Sequence, residues 1–126
     1  MARLYRHYPG PDDYIGRVTE EGRVYGQRFG ADEYLGRVEH SGKIYGHVAA
    51  GADDYLGRVD DDGRIYRHAA GGPDEHVGRV EIDGKIYARR PGVSPDRLVG
   101  RVEGEPLVRS GGAAFFLLLT SLEDPD

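Results

Sequence analysis

The chain has 126 residues, enough for one domain, and only 28 of them are Ile, Leu, Val or Phe, about 22% of the total. That fraction sits just above the level at which burial of apolar surface fails to offset conformational entropy. The absence of Cys excludes disulfides, Cys-ligated zinc, iron–sulfur clusters and thiol nucleophiles, and a net charge of −5 with interspersed signs leaves no basic block to displace counterions from a nucleic acid.

From its first residues the chain reads as a repeat already under way. Arg3-Leu4-Tyr5-Arg6-His7 matches Arg64-Ile65-Tyr66-Arg67-His68, the second half of a unit whose first half is missing. Gly-Arg-Val then recurs at Gly16, Gly36, Gly57, Gly78 and Gly100, with spacings of 20, 21, 21 and 22. Each copy is preceded, four residues upstream, by Asp12, Asp32, Asp53, Asp74 or Asp96. Four copies place a second glycine six residues on (Gly22, Gly42, Gly63, Gly84), followed by Arg or Lys, then Val or Ile, then Tyr25, Tyr45, Tyr66 or Tyr87. A repeat this regular announces an array of one supersecondary unit.

That unit reads as a β-hairpin. Tyr34-Leu35-Gly36-Arg37-Val38 and Lys43-Ile44-Tyr45-Gly46-His47 are rich in β-branched and aromatic residues. The connection Glu39-His40-Ser41-Gly42 suits a type I turn closed by a glycine bulge. Its register sets Val38 opposite Ile44, Arg37 opposite Tyr45, Gly36 opposite Gly46 and Leu35 opposite His47. Val38, Ile44 and the glycines then share one face, and Arg37, Tyr45, Leu35 and His47 the other. Pro9-Gly10-Pro11, Gly51-Ala52, Gly71-Gly72-Pro73 and Pro91-Gly92 mark joints between units. The fifth copy loses its turn glycine to Pro106.

The final stretch, Gly111-Gly112-Ala113-Ala114-Phe115-Phe116-Leu117-Leu118-Leu119, is the most apolar in the chain. Exposed, it would be an aggregation site. The economical reading places it at the centre of the array, as a short helix or a strand. The fold expected is therefore all-β: five ~21-residue hairpin repeats plus an N-terminal strand around a central apolar C-terminal segment. The expected repeats are 12–31, 32–52, 53–73, 74–95 and 96–110, with the apolar segment at 111–122, all in a single domain.

The Gly-Arg-Val…Asp-Gly-Arg/Lys-Ile-Tyr unit, clearest over Gly57–Tyr66 and Gly78–Tyr87, together with the apolar ending, resembles the small bacterial β-flower proteins. The resemblance covers Arg3 to Leu119. It implies hairpin petals around a central apolar segment, and it brings no catalytic residues.

Candidate sites follow the repeat. Arg17, Arg37, Arg58, Arg79 and Arg101 are read as stacking on cross-strand tyrosines rather than as an anion-binding ring. His7, His47 and His68 recur at one level, but Gln27 and Arg89 interrupt them and Arg6, Arg67 and Arg89 oppose a cation. No metal or other cofactor is expected. Asp60-Asp61-Asp62-Gly63 lacks the alternation of a calcium loop, and the repeat aspartates read as loop caps or ion-pair partners. None of Ser41, Ser94, Ser110 and Ser121 lies in a nucleophile elbow, and no phosphate loop occurs, so the chain is not expected to be an enzyme.

Met1-Ala2-Arg3-Leu4-Tyr5 carries no apolar signal region, and the seven-residue run Ala113–Leu119 falls short of the roughly 20 residues of a spanning helix. The expectation is a cytoplasmic protein with neither a nucleic-acid nor a membrane partner. It would be a monomer, or a dimer if Phe115 and Phe116 are not buried within one chain. Function narrows to a non-catalytic structural or protein-interaction module, with Tyr14, Tyr34 and Tyr55 as contacts. The alternative is a lectin-like carbohydrate binder using repeated Tyr and Asp positions.

Overall fold

The computed structural model describes residues 1–7, 9–28, 31–90 and 95–119, with Arg28 described in its backbone alone. The expected joint at Pro91-Gly92 and residues 120–122 of the expected apolar segment lie outside these. The strands are β1 (Ala2–Arg6), β2 (Asp13–Val18), β3 (Arg23–Arg28), β4 (Ala31–Val38), β5 (Lys43–Gly46), β6 (Asp54–Val59), β7 (Arg64–Arg67), β8 (Glu75–Val80), β9 (Lys85–Ala88) and β10 (Arg97–Gly104). They form a closed antiparallel barrel in chain order, shut by β1 lying between β10 and β2. Closure leaves no free sheet edge, which a set of short strands would otherwise expose.

Within a hairpin the turn sets the register. In the β4–β5 pair, Gly36 faces Gly46, Arg37 faces Tyr45 and Val38 faces Ile44. Gly42 N–H donates to Glu39 O at 2.9 Å and takes φ +94°, a conformation that suits glycine. The same residue meets the next hairpin: Val59 N–H donates to Gly42 O at 3.0 Å, and a Cβ on Gly42 would stand 2.2 Å from Val59 O. Gly22, Gly63 and Gly84 accept from Val38, Val80 and Val102 in the same way. Each turn is thereby stitched to its neighbour.

Between hairpins the alternation is broken. Val24 faces Gly36 and Tyr25 faces Tyr34, so Leu35 has no counterpart and forms a bulge. Ile15, Leu56, Val77 and Val99 are bypassed likewise. This corrects the expectation that Leu35 shares the outer face with Arg37: Leu35 packs against the core, and Ile15 and Val99 are fully buried in it. One unmatched residue shifts the two-residue alternation, so both it and the adjacent glycine face inward.

The expected fifth unit, 96–110, also differs. Among the described residues no return strand follows Gly104, because α1 (Leu107–Ala114) begins almost at once. Proline at 106 cannot supply the positive φ of the turn glycine. Instead β1 takes the place of the return strand, with Arg101 opposite Tyr5 and Val102 opposite Leu4.

The apolar C-terminal stretch is helical: α1 passes into a wider, π-type turn over Phe115–Leu119. Ser110 to Phe115, Leu118 and Leu119 are buried and join Val18, Val24, Val38, Ile44, Val59, Ile65, Val80, Ile86 and Val102 in one core. The two glycines of α1 permit close approach, since a Cβ at 111 would meet Val80 at 2.6 Å and one at 112 would meet Val59 at 2.6 Å. Along the π-type turn, Phe115 lies against Gly78, Phe116 against Gly57, Leu117 against Gly36, Leu118 against Gly16 and Leu119 against Gly100. Successive residues thus touch the glycine of successive Gly-Arg-Val copies around the barrel.

Two stability predictions follow from this packing. A Cβ at Gly57 would stand 2.2 Å from Tyr66 O and 2.7 Å from Phe116 Cζ, whereas one at Gly72 meets nothing within 4 Å. Gly57→Ala is expected to cost about 3 kcal/mol and Gly72→Ala close to nothing, measured by urea unfolding. Ser110 Oγ is fully buried with no hydrogen-bond partner among the described residues, so Ser110→Ala should raise stability by about 1 kcal/mol, since an unmet buried hydroxyl costs about 1–3 kcal/mol.

Candidate functional site

The outer wall carries a repeated side-chain constellation. In each hairpin the arginine of Gly-Arg-Val lies over the tyrosine opposite: Arg17 on Tyr25 at 4.5 Å, Arg37 on Tyr45 at 4.1 Å, Arg58 on Tyr66 at 4.3 Å and Arg79 on Tyr87 at 4.1 Å. Arg101 covers Tyr5 at 4.0 Å across the β10–β1 seam. Hairpin register alone produces the first four contacts.

Across four of the five joints the bulge brings a second aromatic beside the first, and at the fifth Leu98 faces Tyr87. Tyr14, Tyr34 and Tyr55 lie against Tyr5, Tyr25 and Tyr45, with ring centroids 5.7, 5.5 and 5.4 Å apart. His76 replaces the tyrosine beside Tyr66, at 5.3 Å. His47 and His68 then pack on Tyr34 and Tyr55 at 4.9 Å. Tyr14 is 38% exposed and Tyr34 and Tyr55 are half-buried, so all three sequence-predicted tyrosines reach the surface as members of stacks.

The repeat aspartates bind these stacks together. Asp53, Asp74 and Asp96 each accept from the arginine of the preceding hairpin, Arg37, Arg58 and Arg79, and Asp32 pairs with Arg17 at 2.9 Å. Arg101 donates to Asp12 at 2.8 Å, closing the circuit over 89 residues of sequence. Asp53 and Asp74 also accept from Val48 and Ala69 N–H within their own joints. The sequence offered loop cap or ion-pair partner as alternatives for these aspartates, and Asp53 and Asp74 make both kinds of contact. His7, His47 and His68 sit beside Asp12, Asp53 and Asp74 at 3.3, 3.5 and 3.6 Å. Each belongs to its own joint, and no group of three or more potential metal-ligating side chains occurs among the described residues.

A second acid usually supports each arginine from inside its own hairpin: Glu39 for Arg37, Asp60 for Arg58, Glu81 for Arg79 and Glu103 for Arg101. At Arg58 partial burial works against the charge, but Asp60 and Asp74 outweigh it and hold the guanidinium above its ordinary value. Arg101 is raised in the same way by Asp12 and Glu103. The first hairpin departs from the rule, with Thr19 in the acid's place. Arg17 Nη1 is buried without an acceptor among the described residues.

Arg23, Tyr25 and Tyr34 line a shallow cleft of about 180 Å³ beside this irregular position. Arg23 has no carboxylate partner among the described residues, unlike the equivalent Arg64 and Lys85, which meet Asp62 and Asp83 at 3.7 and 3.8 Å. Sequence reading singled out Tyr34 and Tyr25 but missed Arg23, which the sequence does not set apart, since Glu21 stands where Asp62 and Asp83 meet their cations. Two further clefts, of about 220 and 440 Å³, flank the start of α1, where Arg109 Nη1 donates to His40 Nδ1 at 2.6 Å. Comparison of the chain with protein-family models, curated proteins and solved structures finds no match to any of them.

Burial pushes the Tyr55 phenol up, and the Asp74 carboxylate adds to this against the pull of Arg58. A raised folded pKa favours the neutral phenol, so the contribution is fully present below the unfolded value of about 10 and is lost as pH rises beyond it. Alkaline absorbance titration is expected to show a phenol ionising above that value that Tyr55→Phe removes. The wild type should also lose stability above about pH 10 more steeply than the variant.

Proposed function

We propose that the chain is a non-catalytic interaction module of the β-flower kind. Five two-stranded units, the fifth formed by β10 with β1, surround the helical C-terminal segment as an axial hub and display one constellation repeatedly. The observation that carries this reading is the recurrence of arginine, tyrosine and second tyrosine as one stack. Arg101/Tyr5/Tyr14, Arg17/Tyr25/Tyr34 and Arg37/Tyr45/Tyr55 present it three times on consecutive parts of the wall. Tyrosine offers contact area and a hydrogen bond at low entropic cost, and identical sites at fixed spacing suit a repetitive protein partner through avidity. Phe115 is buried within one chain and Phe116 half-buried against the same core, which supports a monomer, acting in the cytoplasm.

A photo-crosslinking residue at position 14 tests the module, with position 82 as control because Ile82 is 95% exposed on a hairpin turn. In cell extract we expect a discrete adduct from position 14 and none from position 82. Identical adducts from both positions, or none from either, would overturn the reading.

The second reading, a small-ligand binder of lectin type, is favoured by one observation, the cleft at Arg23, Tyr25 and Tyr34. It loses the repeated aspartates that the sequence offered as hydroxyl acceptors. Asp53 and Asp74 are occupied by Arg37 and Arg58 and by backbone N–H groups of their joints.

A further inference from the structure

We propose that the cleft formed by Arg23, Tyr25 and Tyr34 takes a single carboxylated sugar of the hexuronate type; this rests on the second reading above and narrows it to one site and one charge. In the first hairpin one acid of the repeat is missing. Arg17 keeps Asp32 but lacks the second acid present at Arg37, Arg58, Arg79 and Arg101, because Thr19 stands where those hairpins have Glu39, Asp60, Glu81 and Glu103. Arg17 Nη1 is left without an acceptor among the described residues, and the guanidinium itself lies over the ring of Tyr25. Arg23 faces Arg37 across the strands, and among the described residues no carboxylate neutralises it. Arg37 is already held by Glu39 and Asp53, so an anion entering the cleft meets Arg23, with which it makes a charge-assisted bond.

The shape selects what carries the anion. The Tyr25 and Tyr34 rings stand 5.5 Å apart at 53° and form an angled aromatic wall beside the guanidinium. At about 180 Å³ the cleft is smaller than the ~300–1,000 Å³ of drug-sized sites and accommodates one ring. A pyranose would lay its C–H face on tyrosine, direct hydroxyls to the phenol oxygens, and present its carboxylate to Arg23. Among the other wedges, His76 replaces the second tyrosine beside Arg64, Leu98 replaces it beside Lys85, and Lys43 stands in place of arginine beside Tyr45 and Tyr55; Arg3, Tyr5 and Tyr14 repeat the composition, with the rings at 65° in place of 53°.

Ligand-detected NMR and amide shift mapping on the full chain test the assignment, with D-glucuronate, D-glucose and acetate as probes. Glucuronate should perturb Arg23, Tyr25 and Tyr34 and bind at least about tenfold more tightly than glucose or acetate, as a charge-assisted bond to a ring already seated predicts. Arg23→Gln should remove that tenfold advantage. Thr19→Glu, which installs the acid the other hairpins carry, should weaken binding several-fold while leaving the fold intact. Equal binding of glucose and glucuronate overturns the anion assignment and leaves the sugar-binding reading standing. Acetate binding as tightly as glucuronate reduces the site to a bare anion contact and overturns both. Perturbation confined to other wedges overturns the site, and no binding of any probe overturns the site and the reading together.

Discussion

Five consecutive side chains, Phe115 to Leu119, each rest on the glycine of a different Gly-Arg-Val copy, and this contact sets the dimensions of everything outside it. A barrel assembled from five such copies presents a glycine about every 72° around its axis, whereas an α-helix advances about 100° per residue. The wider π-type turn advances less per residue and comes closer to one residue per copy. Any side chain on those glycines would occupy the space that the apolar residues fill. The chain is poor in large aliphatic residues because its interior is shared. Each unit contributes one valine, one isoleucine, valine or leucine from the facing strand, the apolar bulge residue and a bare backbone patch, and a single segment supplies the rest of the core.

The bulges convert that interior requirement into an exterior pattern. At each joint one residue is left unmatched, so Ile15, Leu35, Leu56, Val77 and Val99 turn towards the core. The residue before each then faces outward beside the tyrosine of the preceding strand. Tyrosine pairs therefore arise at joints, between units, while arginine–tyrosine contacts arise within units. The surface stack exists because both registers are present together.

Ion pairs lock one unit to the next in the same sense around the barrel. Individually, such half-exposed pairs contribute little. As a closed circuit they choose a partner for every joint, including the seam where no turn connects β10 to β1. Arg101 meets both Asp12 and Tyr5 there, the contacts that covalently linked hairpins make elsewhere. One position escapes the pattern, Thr19, and the charge it fails to supply gives the neighbouring cleft a character of its own.

By itself the sequence determined the hairpins, their turns and the arginine–tyrosine pairing, because these depend on chain neighbours: Gly42 fixes the turn, and the turn fixes Arg37 opposite Tyr45. The repeat also marked Tyr14, Tyr34 and Tyr55 as equivalent to one another. Only the tertiary structure decided which way Leu35 faces, since the bulge depends on pairing with a strand from another unit. It also decided that β1 takes the place of a return strand after Gly104, that Phe115–Leu119 winds as a wide helical turn, and that Arg23 stands beside two tyrosines with no carboxylate partner among the described residues. Each of those outcomes requires residues distant in sequence to share one space, and hydrophobic periodicity along a single strand carries no record of what lies across from it.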